Sequence, residues 1–252
     1  MRAIILAAGQ GTRLRPLTDD RPKCLVELAG KPLLDHQLEV LRSEGVEDIT
    51  VVAGYREDQI QAPSVRKIIN PDFDSTNMVY TLFCAHELMD GSSDLIISYG
   101  DIVYEPRVLQ ALLECRAPIC LTIDAKWLDY WRKRMDNPLE DAETLKLDGD
   151  RILELGKKPD SYEDIQGQFM GLIKVRADHV PKLDGAWRDL DGSACGDGDS
   201  ANMYTTDFIQ HLINGGWDVR AAVVENGWLE IDEPQDVELA ATGLFWQPLN
   251  PA

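Results

Sequence analysis

The chain has 252 residues, of which 44% are hydrophobic and 27% are charged, and this composition is typical of a soluble globular protein long enough to bury a sizeable core. No stretch approaches the roughly 18 to 20 consecutive apolar residues that span a bilayer, which excludes a membrane-spanning helix. The formal net charge of −19 would repel a phosphate backbone, so the composition argues against nucleic acid as a partner and indicates a well-solvated acidic surface.

The first apolar run, at residues 4–8, is too short for the hydrophobic region of a signal peptide and has no cleavage pattern after it. We therefore expect a buried strand there and a cytoplasmic protein. The five cysteines show no CxxC spacing, and the four histidines form no i,i+4 pair of the metal-ligand type. This pattern predicts reduced, unpaired thiols at Cys24, Cys84, Cys115, Cys120 and Cys195.

Short runs rich in Ile and Val alternate with segments of helical period in the first half of the chain, a pattern typical of βαβ units around a mostly parallel sheet. The alternation predicts an α/β fold with a doubly wound sheet. Strands are expected at residues 2–7, 48–53, 65–69, 94–99 and 119–123. Helices are expected at residues 33–43, 78–89 and 106–115, the second of them capped by Thr76 or Asn77.

The pattern changes from residue 126 onward. Residues 126–141 are aromatic and basic, and residues 145–153 alternate around an Asp-Gly pair that predicts a β-hairpin. The remaining predicted elements are a strand at 169–175, a loop or lid at 184–200, a helix at 205–214, strands at 219–224 and 228–232, a last helix from 234 and a frayed tail at 247–252. We interpret residues 1–252 as one domain, with a nucleotide-binding half at 1–125 and, at 126–252, an acceptor-binding insertion and a metal-binding carboxy-terminal part.

A glycine-containing loop follows the first predicted strand directly, where a doubly wound sheet places its ligand crevice. It reads Leu-Ala-Ala-Gly-Gln-Gly-Thr-Arg-Leu-Arg-Pro-Leu-Thr over residues 6–18. Gly9 and Gly11 would let backbone N–H groups approach phosphate oxygens, and Thr12 would add a hydroxyl donor. Arg13 would add a fixed positive charge for the β- and γ-phosphates. Two glycines alone also fit a tight turn without a ligand, but the extension and the Arg-Pro-Lys at residues 21–23 favour a phosphate loop.

Together with Gly-Lys-Pro-Leu-Leu at residues 30–34, this string resembles the signature of the sugar-phosphate nucleotidyltransferase superfamily, and the resemblance extends over nearly the whole chain. It implies a Rossmann-like nucleotidyltransferase fold and transfer of a nucleotide from an NTP with release of pyrophosphate. It also implies that Arg13 orients the pyrophosphate leaving group and that Lys23 contacts the α-phosphate or the acceptor phosphate. The residues expected to contact the nucleotide are Leu6, Ala8, Gly9, Gly11, Thr12, Asn77, Tyr99 and Gly100.

Three acidic residues at the ends of predicted strands are candidate ligands of Mg²⁺, which prefers carboxylates and phosphate oxygens. Asp101 follows an apolar strand, where its alternative role is to cap the next turn. In Trp-Leu-Glu-Ile-Asp at residues 228–232, the strand alternation places Glu230 and Asp232 on one face, where the alternative is a pair of solvated surface acids. Both segments resemble metal motifs of the superfamily, which implies that Asp101 and Asp232 are the main ligands and that Glu230 supports them.

Asn77 opens the segment Asn-Met-Val-Tyr-Thr-Leu, which begins a predicted helix after a polar loop. A plain N-cap would explain this residue equally well. The segment resembles the phosphocholine cytidylyltransferase branch of the superfamily, and that resemblance implies CTP rather than UTP, GTP or dTTP.

The insertion contains an aromatic stripe. Trp127, Tyr130 and Arg134 share one face of a predicted helix, with Trp131 beside them, and such a stripe fits core packing as well as a pocket. As a pocket, it would present aromatic faces to a cationic head group, with Arg132 or Arg134 at the phosphate or phosphonate. The stripe is therefore a candidate acceptor site with a structural alternative.

Other residues of the second half complete the predicted acceptor site. Asp141 and Glu143 would receive an ammonium group, or else be solvated. Lys157 resembles an acceptor-phosphate lysine of the superfamily, with a surface basic pair as the alternative, and Gly171 lies in a segment that leaves room for the acceptor. Two more positions resemble acceptor contacts of the superfamily: Asn202 and Tyr204.

These residues predict a Mg²⁺-dependent cytidylyltransferase that transfers CMP from CTP to 2-aminoethylphosphonate or phosphocholine. The run from residue 131 to residue 157 resembles phosphonate cytidylyltransferases more closely and favours aminoethylphosphonate. One alternative is a hexose-1-phosphate nucleotidyltransferase that uses UTP, dTTP or GTP, and another is a non-catalytic nucleotide-binding regulatory protein. The presence of Arg13, Lys23, Asp101 and Asp232 argues against the regulatory protein. The sequence leaves a homodimer open.

Overall fold

The structure is a computed structural model that describes residues 1–190 and 200–250. Its strands and helices are numbered in chain order. The strands are β1 (Arg2–Ala7), β2 (Glu27–Leu28), β3 (Lys31–Pro32), β4 (Asp48–Ala53), β5 (Arg66–Ile69), β6 (Leu95–Tyr99), β7 (Ile102–Tyr104), β8 (Ile119–Asp124), β9 (Leu145–Asp148), β10 (Arg151–Leu155), β11 (Gln168–Val175), β12 (Val219–Val224) and β13 (Trp228–Glu230). The helices are α1 (Leu33–Ser43), α2 (Met78–Phe83), α3 (Pro106–Glu114), α4 (Trp127–Arg134), α5 (Val180–Leu190), α6 (Thr205–Asn214) and α7 (Pro234–Ala240).

Nine of the described strands form one sheet in the order β5-β4-β1-β6-β11-β8-β12-β10-β9. The strands β5, β4, β1 and β6 pair in parallel, as do β8 and β12, whereas β11 and β10 run opposite to their neighbours. Strand β11, from the second half of the chain, lies between β6 and β8 from the first half, so both halves build the same sheet. The expected α/β fold with a mostly parallel central sheet is confirmed.

The side chains of β1 show why helices cover both faces of this sheet. Ala3 and Ile5 belong to an apolar cluster that includes residues of α1, α3 and α4, whereas Ile4 and Leu6 belong to a second cluster with residues of α2, α5 and α6. All four side chains are buried, which is the pattern of a strand covered on both sides. Since β1 and β6 are parallel neighbours, the loops that follow their carboxyl ends meet at one edge of the sheet.

Most of the predicted elements are found where they were expected. Helices α1 and α6 and strands β1, β4 and β12 have the predicted bounds. The hairpin is confirmed, because β9 and β10 pair antiparallel on either side of Gly149, which has φ 62°. The prediction of one helix over residues 78–89 is wrong beyond Phe83, where α2 ends. The N–H of Ala85 donates to the carbonyl of Leu82, three residues back, and a 3-10 turn follows at His86–Leu88.

The loop expected at residues 184–200 is wrong in its first part, because α5 continues to Leu190. Its apolar residues Val180, Leu183 and Leu190 are buried at helical spacing. This packing outweighs the low helix propensity of Gly185, where an added Cβ atom would meet no atom within 4 Å. The rest of the predicted loop, with Cys195, lies outside the described residues. Among residues 1–190 and 200–250, no helix is long and apolar enough to cross a membrane.

Cys115 and Cys120 form a disulfide bond, so the prediction of unpaired thiols is wrong for this pair. The turn between α3 and β8 brings their Cα atoms to 6.3 Å, a distance that only the tertiary structure determines. Cys24 and Cys84 are free, as expected.

Candidate active site

The loop after β1 brings the backbone close to Lys23. Gly11 has φ +65°, and a Cβ atom at this residue would lie 3.0 Å from Cβ of Lys23. Glycine therefore permits both the left-handed backbone and the close approach. Oγ1 of Thr18 donates to the carbonyl of Gly11 over 2.7 Å and closes the loop. Thr12 and Arg13 follow on a 3-10 turn, and both residues are exposed.

A cavity beside this loop, the loop cavity, depends on a close crossing of two backbone segments. The N–H of Gly100 donates to the carbonyl of Leu6 over 2.9 Å, and a Cβ atom at residue 100 would lie 2.5 Å from that oxygen. Only glycine permits this approach, which brings Asp101 to the cavity wall. Asn77 caps α2, because its Oδ1 accepts from the N–H of Met78 over 2.8 Å. The loop cavity is lined by Leu6, Ala7, Ala8, Gly9, Lys23, Cys24, Phe73, Thr76, Asn77, Met78, Thr81, Gly100 and Asp101.

Three carboxylates meet beside the loop cavity, those of Asp101, Glu230 and Asp232. Strand β13 pairs with β7 so that Glu230 lies opposite Ile102, and the N–H of Ile231 donates to the carbonyl of Asp101 over 3.0 Å. This pairing joins two segments that are distant in sequence. As a result, one oxygen atom from each carboxylate lies within 4.8 Å of the others.

Two cations on the wall of the site, Lys23 and Arg13, neutralise part of this charge. Nζ of Lys23 donates to Oδ2 of Asp101 over 2.7 Å and also to Oδ1 of Asp232. Nη2 of Arg13 lies 3.0 Å from Oδ2 of Asp232. Burial alone would raise the pKa of Asp232, but the charges of Lys23 and Arg13 hold it below its ordinary value. The two aspartates in turn hold the pKa of the Lys23 ammonium above its ordinary value, despite its burial.

The donor set fits a divalent cation. Burial, and then the charge of Asp232, raise the pKa of Glu230 to about 8, so a bound cation would favour the charged form of this group. Oδ1 of Asp101 is buried and has no hydrogen-bond partner among the described residues. An unpartnered carboxylate oxygen beside two further carboxylates is the kind of ligand set that Mg²⁺ prefers. Asp101, Glu230 and Asp232 therefore fit this metal.

A second cavity, of about 340 Å³, opens on the same three carboxylates and extends to the insertion; it is called the acidic cavity below. Asp141 and Glu143 lie on its wall. Burial, followed by the charges of Asp207 and Asp141, raises the pKa of Glu143 to about 7. The acidic cavity is lined by Arg13, Lys23, Met78, Tyr99, Asp101, Trp131, Asp141, Glu143, Gln168, Phe169, Tyr204, Thr206, Glu230 and Asp232.

The nucleotide-binding residues expected from the sequence divide between these cavities. Tyr99 lines the acidic cavity, while Gly11 and Thr12 belong to the loop beside the loop cavity. The remaining five line the loop cavity: Leu6, Ala8, Gly9, Asn77 and Gly100.

The predicted aromatic pocket is wrong for Trp127 and Tyr130, whose side chains are buried in the core. Trp127 packs edge-on against Trp131 with ring centroids 5.9 Å apart, and the hydroxyl of Tyr130 donates to the carbonyl of Glu230 over 3.0 Å. Of these three aromatic residues, Trp131 lines the acidic cavity. The helical spacing of the stripe therefore reflects packing, because this face of α4 meets the buried side chain of Trp228.

Three further acceptor-site predictions need correction. Arg134 does not reach the acceptor side, because its side chain is 4% exposed and is paired with Glu230. Arg132 is exposed on α4 and is not one of the residues that line the acidic cavity. Gly171 has φ +79°, and a Cβ atom there would lie 2.7 Å from Cδ2 of Tyr99. This glycine leaves room for the Tyr99 ring rather than for the acceptor.

A third cavity adjoins the acidic cavity and is lined by three of the predicted acceptor residues, Lys157, Asn202 and Tyr204. Nζ of Lys157 pairs with the carboxylate of Glu154, and the carbonyl of Asn202 accepts from Nδ2 of Asn77 over 3.3 Å. Tyr204 lies between the two cavities, lines both, and is 60% exposed. The structure therefore separates Lys157 from the carboxylate trio.

Sequence reasoning missed Asp236, which is 2% exposed and organises the strand end next to it. Its Oδ2 accepts from the N–H of Asp232 over 2.8 Å and from the N–H of Glu233 over 2.9 Å. The signal was present, because an acid three residues after Glu233 and just inside a proline-initiated helix is typical of a capping box.

Comparison with known proteins agrees with this architecture. Residues 3–154 match the family described as the MobA-like NTP transferase domain. The chain is 41% identical over 249 residues to the CTP:phosphoglutamine cytidylyltransferase of Campylobacter jejuni, covering 95% of this chain and 98% of that protein. It is 41% identical over 96 residues to the choline-phosphate cytidylyltransferase of Streptococcus pneumoniae, covering 36% of this chain and 42% of that protein.

Among solved structures, the inositol-1-phosphate CTP transferase from T. maritima is similar, with a TM-score of 0.71 and 25% identity over 98% of this chain and 97% of that one. The resemblance in the loop after β1 and in the acidic strand ends thus extends to whole-chain similarity in sequence and fold. The chain belongs to the family of MobA-like NTP transferase domains and is a nucleotidyltransferase.

Proposed function

We propose that the chain is a Mg²⁺-dependent cytidylyltransferase that transfers CMP from CTP to a small phosphorylated compound with a primary ammonium group, of the phosphoglutamine type. One observation carries the choice of acceptor. Asp141 and Glu143 line the same cavity as Lys23 and Asp101, whereas two of the three candidate aromatic residues, Trp127 and Tyr130, are buried in the core and leave Trp131 as the one member of the stripe on that wall.

The choice of CTP rests on similarity. The 41% identical relative that matches nearly the whole chain is named as a CTP-dependent cytidylyltransferase. The choline-phosphate relative is also named as a cytidylyltransferase, and the inositol-1-phosphate enzyme is named as a CTP transferase. The loop cavity lies beside the phosphate loop and is lined by backbone atoms and by the polar residues Thr76, Asn77 and Thr81. A pyrimidine base is the ligand we assign to this cavity.

The chemistry of the acidic cavity supports a primary ammonium group on the acceptor. Such a group donates three hydrogen bonds and is matched by carboxylate acceptors, whereas a trimethylammonium group has no N–H to donate and is matched by aromatic faces. A phosphorylated glutamine keeps its α-ammonium and α-carboxylate groups. This chemistry and the relative that matches nearly the whole chain support phosphoglutamine over 2-aminoethylphosphonate, which shares the ammonium group, and over phosphocholine, which has no N–H to donate.

The proposed reaction is a substitution at the α-phosphorus of CTP. An oxygen of the acceptor phosphate forms the new P–O bond while the bond to the β-phosphate breaks, and pyrophosphate leaves with the electron pair. Arg13, on the exposed turn after Gly11, is available to the β- and γ-phosphates, and Lys23 to the α-phosphate. Asp101, Glu230 and Asp232 would hold Mg²⁺, which when bound supplies positive charge to the phosphate oxygens. The protein's main contribution is to hold the two phosphate groups in line.

Pyrophosphate release in a matrix of substrates tests this proposal. CTP, UTP, GTP and dTTP are each combined with phosphoglutamine, 2-aminoethylphosphonate, phosphocholine and glucose 1-phosphate, and Asp101→Asn serves as the inactive control. We expect the highest kcat/KM for CTP with phosphoglutamine. A preference for phosphocholine would overturn the ammonium assignment, and a preference for UTP or dTTP with glucose 1-phosphate would overturn the proposed function.

A further inference from the structure

Arg134 is the last residue of α4, and its charged side chain is only 4% exposed. Its guanidinium group is not on the wall of the loop cavity or of the acidic cavity. A buried guanidinium costs much desolvation free energy unless every part of it is paired. Its partners therefore indicate what this group does.

Three carboxylates surround the guanidinium. Nη1 donates to Oε2 of Glu230 over 3.0 Å, and Nη2 lies 3.7 Å from Oδ2 of Asp232. Nε and Nη2 donate to the two oxygens of Asp236 over 3.0 and 3.3 Å, which is the bidentate geometry that only arginine can form. Two of these three acids, Glu230 and Asp232, belong to the candidate metal site and line the acidic cavity. Arg134 is not on the cavity wall and therefore contacts both acids from behind that wall.

The same group also contacts the aromatic stripe. Cζ of Arg134 lies 5.4 Å from the ring centroid of Tyr130 and 5.1 Å from that of Trp131. The Tyr130 hydroxyl accepts from the N–H of Glu230 over 3.1 Å, in addition to donating to its carbonyl. Backbone and side chain of Glu230 are therefore both held by residues of α4.

A further contact leads from the stripe to the acceptor side. Nε1 of Trp131 donates to Oδ2 of Asp141 over 3.1 Å, and Asp141 is one of the two acids on the wall of the acidic cavity. Arg134, Trp131 and Asp141 thus form a continuous chain of contacts from the metal-site carboxylates to the acceptor wall.

We propose that Arg134 is a positioning residue for the candidate metal site and for the acceptor site: it holds Glu230 and Asp232 in the arrangement that binds the metal, and through Trp131 it holds Asp141 where the acceptor binds. The acceptor part of this inference rests on the proposed function, whereas the metal part does not. Residues that orient metal ligands from behind typically change metal affinity by about 10-fold to 100-fold when they are replaced.

The test uses Arg134→Lys, which keeps the positive charge and removes the bidentate fork, and Lys133→Met as a matched control on the exposed side of the same helix. Mn²⁺ binding without nucleotide is measured by electron paramagnetic resonance, and the KM values for acceptor and CTP are measured separately. For Arg134→Lys we expect Mn²⁺ affinity to fall by about 10-fold and the acceptor KM to rise by a similar factor, with little change in the CTP KM. Lys133→Met should match the wild type in all three measurements.

A second variant separates the two parts of the proposal. Trp131→Phe keeps the ring beside Arg134 and removes only the N–H that bonds to Asp141, so it should raise the acceptor KM and leave Mn²⁺ affinity unchanged. Wild-type Mn²⁺ affinity in a folded Arg134→Lys would overturn the metal part, and a wild-type acceptor KM in Trp131→Phe would overturn the acceptor part. The Mn²⁺ measurement needs no acceptor, so a failure of the proposed function is distinguishable from a failure of this inference.

Discussion

Nζ of Lys23 lies 2.7 Å from Oδ2 of Asp101, a residue 78 positions further along the chain. The same ammonium group also pairs with Oδ1 of Asp232. Lys23 therefore stands between two of the carboxylates to which a divalent cation would bind, and it competes with that cation for the same oxygens. When the metal binds, we expect the Lys23 ammonium to turn toward the nucleotide phosphates.

Replacement of Lys23 by methionine should therefore have two opposite effects. Mn²⁺ affinity in the absence of nucleotide should rise, because the competing cation is gone. The kcat should fall by about 100-fold or more, because a charge that stabilises the transferring phosphate is lost. Electron paramagnetic resonance of Mn²⁺ and steady-state kinetics check the two effects. A change confined to the KM for CTP would mean that Lys23 binds only ground-state nucleotide.

Replacement of Asp101 or Asp232 by asparagine should lower turnover by orders of magnitude, because each change removes a charged metal ligand without a change in size. The melting temperature should fall while each variant stays folded, because the buried Lys23 ammonium loses one of its two carboxylate partners. Asp129→Asn, on the exposed face of α4, is the control. Full activity in either site variant would contradict the metal assignment.

Much of this site was predictable from the sequence, because its residues follow strands. The alternation of Trp228 to Asp232 predicted that Glu230 and Asp232 share a face, and the position of Asp101 just after the carboxyl end of β6 predicted that it lies at the ligand edge. The structure brings the three acids within 4.8 Å. The central strands were predictable for the same reason, since a strand covered on both faces has a continuous apolar run.

What the sequence could not predict depends on which face of an element meets which neighbour. The period of α4 is the same whether Trp127 and Tyr130 line a pocket or pack in the core, so the sequence is compatible with both interpretations of the stripe. The partners of Arg134 lie about 100 positions away, on β13 and α7, and no local pattern joins them. The disulfide of Cys115 and Cys120 likewise depends on the turn between α3 and β8.

The burial of Trp127 predicts that its replacement affects folding rather than acceptor choice. Trp127→Ala should lower the free energy of unfolding by about 3 to 5 kcal/mol, which is typical of a large aromatic side chain removed from a core. Chemical denaturation measures this loss. In the milder variant Trp127→Phe, the ratio of kcat/KM for phosphocholine to that for phosphoglutamine should equal the wild-type ratio. A selective loss of phosphocholine use would instead support the interpretation of the aromatic stripe as an acceptor pocket.

The contact between Gly171 and Tyr99 predicts a loss of activity in Gly171→Ala. The added Cβ atom would lie 2.7 Å from Cδ2 of Tyr99, at a residue with φ +79°, so the ring that lines the acidic cavity must shift. We expect the acceptor kcat/KM to fall by about 10-fold or more. Gly185→Ala on α5 is the matched control, because its Cβ atom would meet nothing within 4 Å. Equal activity in the two variants would show that Tyr99 has no part in acceptor binding.

The raised pKa of Glu143, about 7, predicts how acceptor use depends on pH. Asp207 and Asp141 face this carboxyl group and oppose its ionisation, so below pH 7 it is mostly neutral and offers the acceptor ammonium no full charge. The acceptor kcat/KM should therefore rise through pH 7 in the wild type. In Glu143→Gln it should be lower at pH 8 and should lack this rise. Because the acceptor titrates identically with both proteins, the wild-type to variant ratio measured from pH 5.5 to 8.5 isolates Glu143, and a constant ratio would contradict the assignment.

Stability should show the opposite trend for the same residue. The pKa of Glu143 in the folded protein lies above its ordinary value of 4.5, so the folded state binds the proton more tightly than the unfolded state does. The stability contributed by the protonated group is therefore fully present below about pH 4.5 and is lost as the pH rises to about 7. Between pH 5 and pH 8 the melting temperature of the wild type should fall relative to that of Glu143→Gln, which cannot ionise. If the ammonium group of the bound acceptor pairs with the ionised Glu143, saturating phosphoglutamine should stabilise the wild type more than the variant at pH 8. Equal stabilisation of the two proteins would place the ammonium group away from Glu143.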